Sequence, residues 1–173
     1  MGAPPLGITF RARTEFRMDS NHDTGGPQRA PLANFLTYRF ARVQSKLNAQ
    51  ASRILREHSG VTITQWRIIA VIGDGGPCTS AQLSRMTAMD KGLISRNVKS
   101  LNAEGYLSVT RDQTDNRALY LDLTEKGREV FERTMPRMQA RQKALRAYLD
   151  KSQIDLLMQT FDTLEKAAED PNV

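Results

Sequence analysis

Cysteine occurs once in the 173 residues, at Cys78, so the chain cannot close a disulfide on itself. A lone thiol suits a reducing, cytoplasmic setting. Histidine occurs twice, as His22 and His58, remote from each other and from Cys78, and this spacing supplies no metal-ligand set. No Ser/His/Asp or Cys/His constellation and no convincing carboxylate pair points to catalysis. The expectation is therefore a protein that is not an enzyme and uses neither a metal nor another cofactor. The run Gly73-Asp74-Gly75-Gly76-Pro77 has no Lys-Ser/Thr after it and no strand–helix context, which excludes a P-loop and a dinucleotide fingerprint. It reads as a turn. No apolar run approaches the ~20 residues of a membrane span, and no secretory h-region follows the start, so no membrane partner is expected.

What is present is charge, with a surplus of base. The formal charge is +6, from 25 basic and 19 acidic residues. Most of the excess lies on residues 31–60, where Arg39, Arg42, Lys46, Arg53 and Arg56 face one acid, Glu57. Residues 1–30 carry Pro4, Pro5, Gly25, Gly26 and Pro27 without any sustained period, and read as a flexible N-terminal extension. Arg11, Arg13 and Arg17 there read as part of a solvated tail, and Met18 is a candidate natural start.

The chain is organised around residues 79–127. Thr79-Ser80-Ala81-Gln82 has the form of a capping box, opening a short helix with Leu83 and Met86 inward. Ala88-Met89 makes a tight turn, and Asp90 caps a second helix over residues 91–103. In that helix Ile94, Val98 and Leu101 share one stripe, while Gly92, Arg96, Lys99 and Ala103 point the other way. The segment contains no acid. Small residues allow close approach to a surface, and long cations suit phosphates and guanine edges. Gly105 stands where a left-handed C-cap ends the helix. Two helices so joined read as a helix-turn-helix. Leu107 and Val109, then Leu119, Leu121 and Leu123, alternate with polar residues and predict a hairpin closed by the loop 112–117.

A helix-turn-helix followed by a hairpin is a winged helix. Here Arg111-Asp112…Asp115-Asn116-Arg117, followed by Leu121-Asp122-Leu123-Thr124-Glu125-Lys126-Gly127, resembles the wing signature of the MarR family of transcriptional regulators. One departure is Asn116, where relatives often carry arginine. The resemblance extends over roughly residues 31–170. It implies a homodimer that binds double-stranded DNA, most often a repressor released by a small aromatic or anionic effector.

Long helices are predicted on either side of this module. From Leu32 to His58, Leu36, Phe40, Val43, Leu47, Ala51 and Ile54 form a nearly heptad seam. Thr62 and Gln65 form a second capping box, ahead of a central helix carrying Ile68-Ile69-Ala70-Val71-Ile72. After Thr124, a long helix repeats Phe131, Met135, Met138, Gln142, Leu145 and Leu149, with a kink expected near Arg133–Met135 because of Pro136. Asp150 and Gln153 cap a last helix striped by Ile154, Leu157, Met158, Phe161 and Leu164. Such stripes need something to bury against, and a homodimer supplies it.

The expected architecture is mainly α with a small β-hairpin wing. It is a winged helix-turn-helix over 61–123 flanked by dimerisation helices over 31–60 and 124–173. Ser95, Arg96, Lys99 and Lys91 are the expected DNA contacts in the major groove, and Arg117, oriented by Asp115, the contact in the minor groove. Trp66, with Arg67 or Arg39, is the candidate site for an aromatic carboxylate. The competing reading is a winged helix used only for protein contacts, which would tolerate loss of Lys99 and Arg117. A ligand-independent activator or anti-silencer is another.

Overall fold

Side chains that the sequence marks as caps start most of the helices. In the computed structural model, which describes residues 31–111 and 119–171, α2 (Ile63–Gly75) and α3 (Ser80–Thr87) open on the capping boxes Thr62/Gln65 and Thr79/Gln82. The cap of α4 (Lys91–Ala103) is Asp90, whose Oδ1 accepts from the Leu93 amide at 2.8 Å. Thr124 caps α5 (Glu125–Arg146), and the Asp150/Gln153 box caps α6 (Lys151–Ala168). Each cap gives orphan backbone N–H groups an acceptor, which fixes where the helix begins.

The exception is α1 (Leu36–His58), which has no side-chain cap. The helix expected from Leu32 is instead a 3₁₀ turn over Leu32–Asn34, separated from α1 by extended backbone at Phe35. Two further expectations change. Helix α2 runs on to Gly75, so Gly73 is helical, and the break comes at Gly76 (φ +80°). Gly73 is needed because the ring of Phe131 occupies the space a β-carbon would fill. Met86 is 59% exposed and Met89 is buried in its place, because Ala88 takes left-handed backbone (φ 52°) and turns the chain inward. Pro136 lies within α5, which continues through it from Glu125 to Arg146.

Strands β1 (Cys78–Thr79), β2 (Leu107–Arg111) and β3 (Leu119–Leu123) form an antiparallel sheet in the order β1-β3-β2. Leu121 in the middle strand lies opposite Cys78 on one side and Val109 on the other. The core gathers Leu55 of α1, Trp66, Ile68, Ile69 and Ile72 of α2, Leu83 of α3 and Ile94, Val98 and Leu101 of α4. Leu107, Leu121, Leu123 and Val130 complete it from the sheet and α5. Ile54, expected in the seam of α1, is only half-buried, and its neighbour Leu55 is fully enclosed.

Candidate nucleic-acid interface and ligand cavity

Burial of Ile94, Val98 and Leu101 fixes which face of α4 is turned outward. Lys91, Gly92, Ser95, Arg96, Lys99 and Asn102 are exposed on it. With the first turn of α3 (Thr79, Ser80) and the strand residues Val109 and Leu119, this face encloses a groove of about 710 Å³, lined by Lys91, Ser95, Lys99 and Asn102. Arg96 stands outside that lining, with its guanidinium beside Gly92. Thr79, Ser80 and Ala81 at the N-terminus of α3 line the same groove, where the helix dipole favours anions. Arg111, at the outer end of β2, is exposed. Asp115, Asn116 and Arg117 lie outside the described residues.

The C-terminal turn of α4 is held from two sides. From α2, the Gln65 Nε2 donates to Ser100 Oγ (3.5 Å) and Glu104 Oε1 (3.3 Å), and Ser100 Oγ donates to Glu104 Oε1 (2.5 Å). From α5, Lys126 Nζ donates to the Glu104 carbonyl (2.7 Å) while lying 4.3 Å from the Tyr106 ring centroid. Thr124 Oγ1 donates to the Gly105 carbonyl at 2.6 Å. Gly105 itself takes φ +77°, the left-handed end expected of it. Sequence reading identified the ends of α4 but not this clamp, since Gln65 and Ser100 stand 35 residues apart.

A second cavity, about 510 Å³, lies between α1, α2, α5 and α6. Phe40, Trp66 and Phe161 give it aromatic walls, and Arg67 and Arg141 give it cations. Arg67 Nη2 donates to Asn48 Oδ1 at 3.2 Å. Arg141 donates through Nε to Gln50 Oε1 (3.0 Å) and through Nη2 to the Leu47 carbonyl (2.9 Å). Burial pulls the pKa of Arg141 below its ordinary value, although a guanidinium remains charged at neutral pH. Trp66 is also a core residue, stacked on Phe131 at 6.3 Å between ring centroids. Thus Trp66 and Arg67 are brought to one cavity, and Arg39 does not line it. Arg141 was missed. The stripe on α5 turns Arg141 inward and leaves Gln142, the expected member, exposed. The signal that could have found it is an arginine three residues beyond Met138 on an otherwise apolar face.

Cys78 is buried in β1, and burial pushes its thiol pKa up. Among the described residues no three His, Cys, Asp or Glu side chains gather as a metal would require, and no helix is long and apolar enough to cross a membrane.

A helix-turn-helix whose second helix stands free beside a three-stranded wing defines a winged-helix DNA-binding fold. A sequence model of the MarR family matches residues 59–118. An uncharacterized HTH-type transcriptional regulator of Staphylococcus aureus (strain Mu50) is 29% identical over 119 residues, which is 69% of this chain and 80% of that protein. A MarR/EmrR family transcriptional regulator from Acinetobacter sp. ADP1 has a similar crystal structure, with a TM-score of 0.74 and 26% identity, over 81% of this chain and 99% of that one. BpsR of Bordetella bronchiseptica, whose DNA binding is regulated by 6-hydroxynicotinic acid, shares the fold at a TM-score of 0.70 and 19% identity, over 82% of this chain and 99% of that one. Over residues 59–118 the chain thus resembles the MarR family, and its fold is similar to that of winged-helix transcriptional regulators of that family.

Proposed function

We propose that this regulator is a repressor that binds a pseudo-palindromic operator as a homodimer and releases it on binding an aromatic carboxylate. The observation that carries the DNA half is the exposed, acid-free face of α4, set in a groove beside the first turn of α3. Ser95 and Arg96 meet base edges in the major groove, Lys91 and Lys99 meet phosphates, and the hydroxyl-rich start of α3 adds a neutral phosphate seat. Arg117 enters the minor groove and Asp115 orients it, both on the strength of the wing signature. A twofold axis then sets half-sites about one turn, ~10 bp, apart.

Support for the dimer comes from the apolar residues that α1 and α6 leave exposed on one protomer, including Leu36, Val43, Leu156 and Met158. Exposed apolar surface of this extent marks an interaction face. Support for the effector comes from the cavity, whose three aromatic walls suit a planar ring and whose Arg67 and Arg141 suit a carboxylate. That a fold neighbour responds to a hydroxylated aromatic acid agrees with this chemistry.

Sequencing genomic fragments retained by the purified protein tests the reading. Enriched palindromes with one-turn spacing are expected, and 4-hydroxybenzoate, a phenol carrying a carboxylate, should release them. Retention without any shared sequence would overturn it.

A further inference from the structure

Gln65 occupies an unusual position, because both ends of its amide are in use and they serve different helices. Its Oε1 accepts from the Thr62 amide at 2.9 Å, which closes the capping box of α2. Its Nε2 reaches across to Ser100 and Glu104 at the end of α4. The Gln65 side chain is buried while Ser100 is half-buried and Glu104 exposed, so the buried amide depends on these partners at the edge of the core, where leaving it unpaired is costly. The two residues that follow it, Trp66 and Arg67, line the cavity. The opposite hold on the same turn of α4 comes from Thr124 and Lys126 at the start of α5, and α5 supplies Met138 and Arg141 to that cavity. The cavity is therefore walled by the two helices between which the end of the groove-facing helix is gripped.

We infer that Gln65 is a positioning residue for DNA binding: it fixes α4 against α2, and it passes occupancy of the cavity at Trp66 and Arg67 on to α4. The inference rests on the proposed roles of α4 and of the cavity. A ligand that draws the first turn of α2 toward Arg141 pulls the Gln65 amide with it. Ser100 and Glu104 then follow or lose their donor, and in either case α4 leaves the attitude that fits the groove. Such coupling needs a contact that differs between two states, and a small hydrogen-bonded cluster anchored by a buried amide supplies one.

Substitution can separate the cap from the clamp. Gln65→Glu retains an acceptor for the Thr62 amide, because capping boxes take Glu as well as Gln. It removes the donor and sets a carboxylate against Glu104. Adding Glu104→Gln restores a donor–acceptor pair with its direction reversed. The binding target is a labelled duplex selected by the wild-type protein from a random library. The Gln65→Glu variant should bind it at least tenfold more weakly, and the double variant should return to within about threefold of wild type. Wild-type affinity in Gln65→Glu, or no recovery in the double variant, overturns the positioning role. A side chain with only a packing role would not be rescued by a change at residue 104.

The second arm uses Trp66, the single tryptophan of the chain, as the reporter. Quenching by 4-hydroxybenzoate is titrated with and without the duplex. The wild type should bind the acid several-fold more weakly when DNA is present, since linkage is reciprocal. In Gln65→Glu that ratio should fall toward one while quenching persists, and in the double variant it should return. An unchanged ratio in Gln65→Glu overturns transmission through this residue. Absence of quenching in the wild type rejects the cavity as an effector site and transmission with it, and the DNA arm alone then decides the positioning role.

Discussion

The backbone carbonyl of Tyr106 lies where a β-carbon on residue 127 would have to sit, so the first turn of α5 fits beneath the α4–β2 turn only with glycine at 127. The Thr124 amide donates to that same Tyr106 carbonyl at 3.1 Å, which places the two elements in this register. Gly127→Ala should therefore force backbone apart, with no flexible side chain able to yield. A loss of about 1–3 kcal/mol in urea unfolding is expected, typical of overpacking. Operator affinity should fall as well, because the displaced turn ends α4.

The outward face of α4 predicts two kinds of loss. Arg96→Ala should cost about 1–3 kcal/mol and relax preference at one position in each half-site. Lys99→Ala should weaken binding to all sequences alike and flatten the salt dependence by about one per subunit. Titrations of selected and scrambled duplexes at three salt concentrations separate the two. Unchanged affinity in both variants would remove α4 from the interface.

The wing makes a prediction of sign. Arg117→Ala should weaken operator binding more than tenfold, over ~1.4 kcal/mol. Asp115→Ala should weaken it too if Asp115 orients Arg117, although loss of an acid near DNA ordinarily strengthens binding through the long-range field. Asn116→Arg should tighten binding and steepen its salt dependence. Tighter binding in Asp115→Ala together with no change in Arg117→Ala would show that the wing does not touch DNA.

Leu36 is 62% exposed on the protomer, so Leu36→Asp should leave the fold of one chain intact. In a dimer the same change buries an unpaired carboxylate, at a cost of several kcal/mol. Sedimentation at micromolar concentration should show the wild type as a dimer and the variant as a folded monomer with weakened operator binding. A variant that still sediments as a dimer would exclude Leu36 from the interface.

Burial raises the pKa of the Cys78 thiol, so the folded state holds this proton more tightly than the unfolded state does. Its contribution to stability is complete below the ordinary thiol pKa and is lost as pH rises through the raised, folded value. Unfolding free energy should therefore decline on the alkaline side, and less so in Cys78→Ala. The thiol should resist a thiol-specific chromogenic reagent in the native protein and react at once in urea. Rapid reaction of the native protein would contradict its burial.

Local chemistry was legible, and choices settled by a partner surface were not. The caps at Thr62, Thr79, Asp90, Thr124 and Asp150 stand in the sequence because each satisfies backbone groups a few residues away. The left-handed Gly105 and the paired strands of the wing were readable for the same reason. Helix α1 shows the opposite case. Leu55 stands about 100° around the axis from Leu36 and Ile54, and the apolar residues of α1 spread over both faces. The core takes the Ala51–Leu55 side, and the Leu36 side is left outward. One heptad seam drawn through all of them merges two surfaces with different fates. Arg141 and Gln142 posed a similar choice, which packing against Leu47 and Gln50 decides.

The outward side of α1 and the similar face of α6 have a consequence for abundance. If part of each helix is covered only by a second chain, folding and assembly share one equilibrium, and the midpoint of unfolding rises with protein concentration. A cell holding few copies would then keep a smaller fraction of them folded as well as fewer on DNA. Occupancy of the operator would vary more steeply than copy number, giving a threshold that comes from leucines such as Leu36 and Leu156 and not from the bases they never touch.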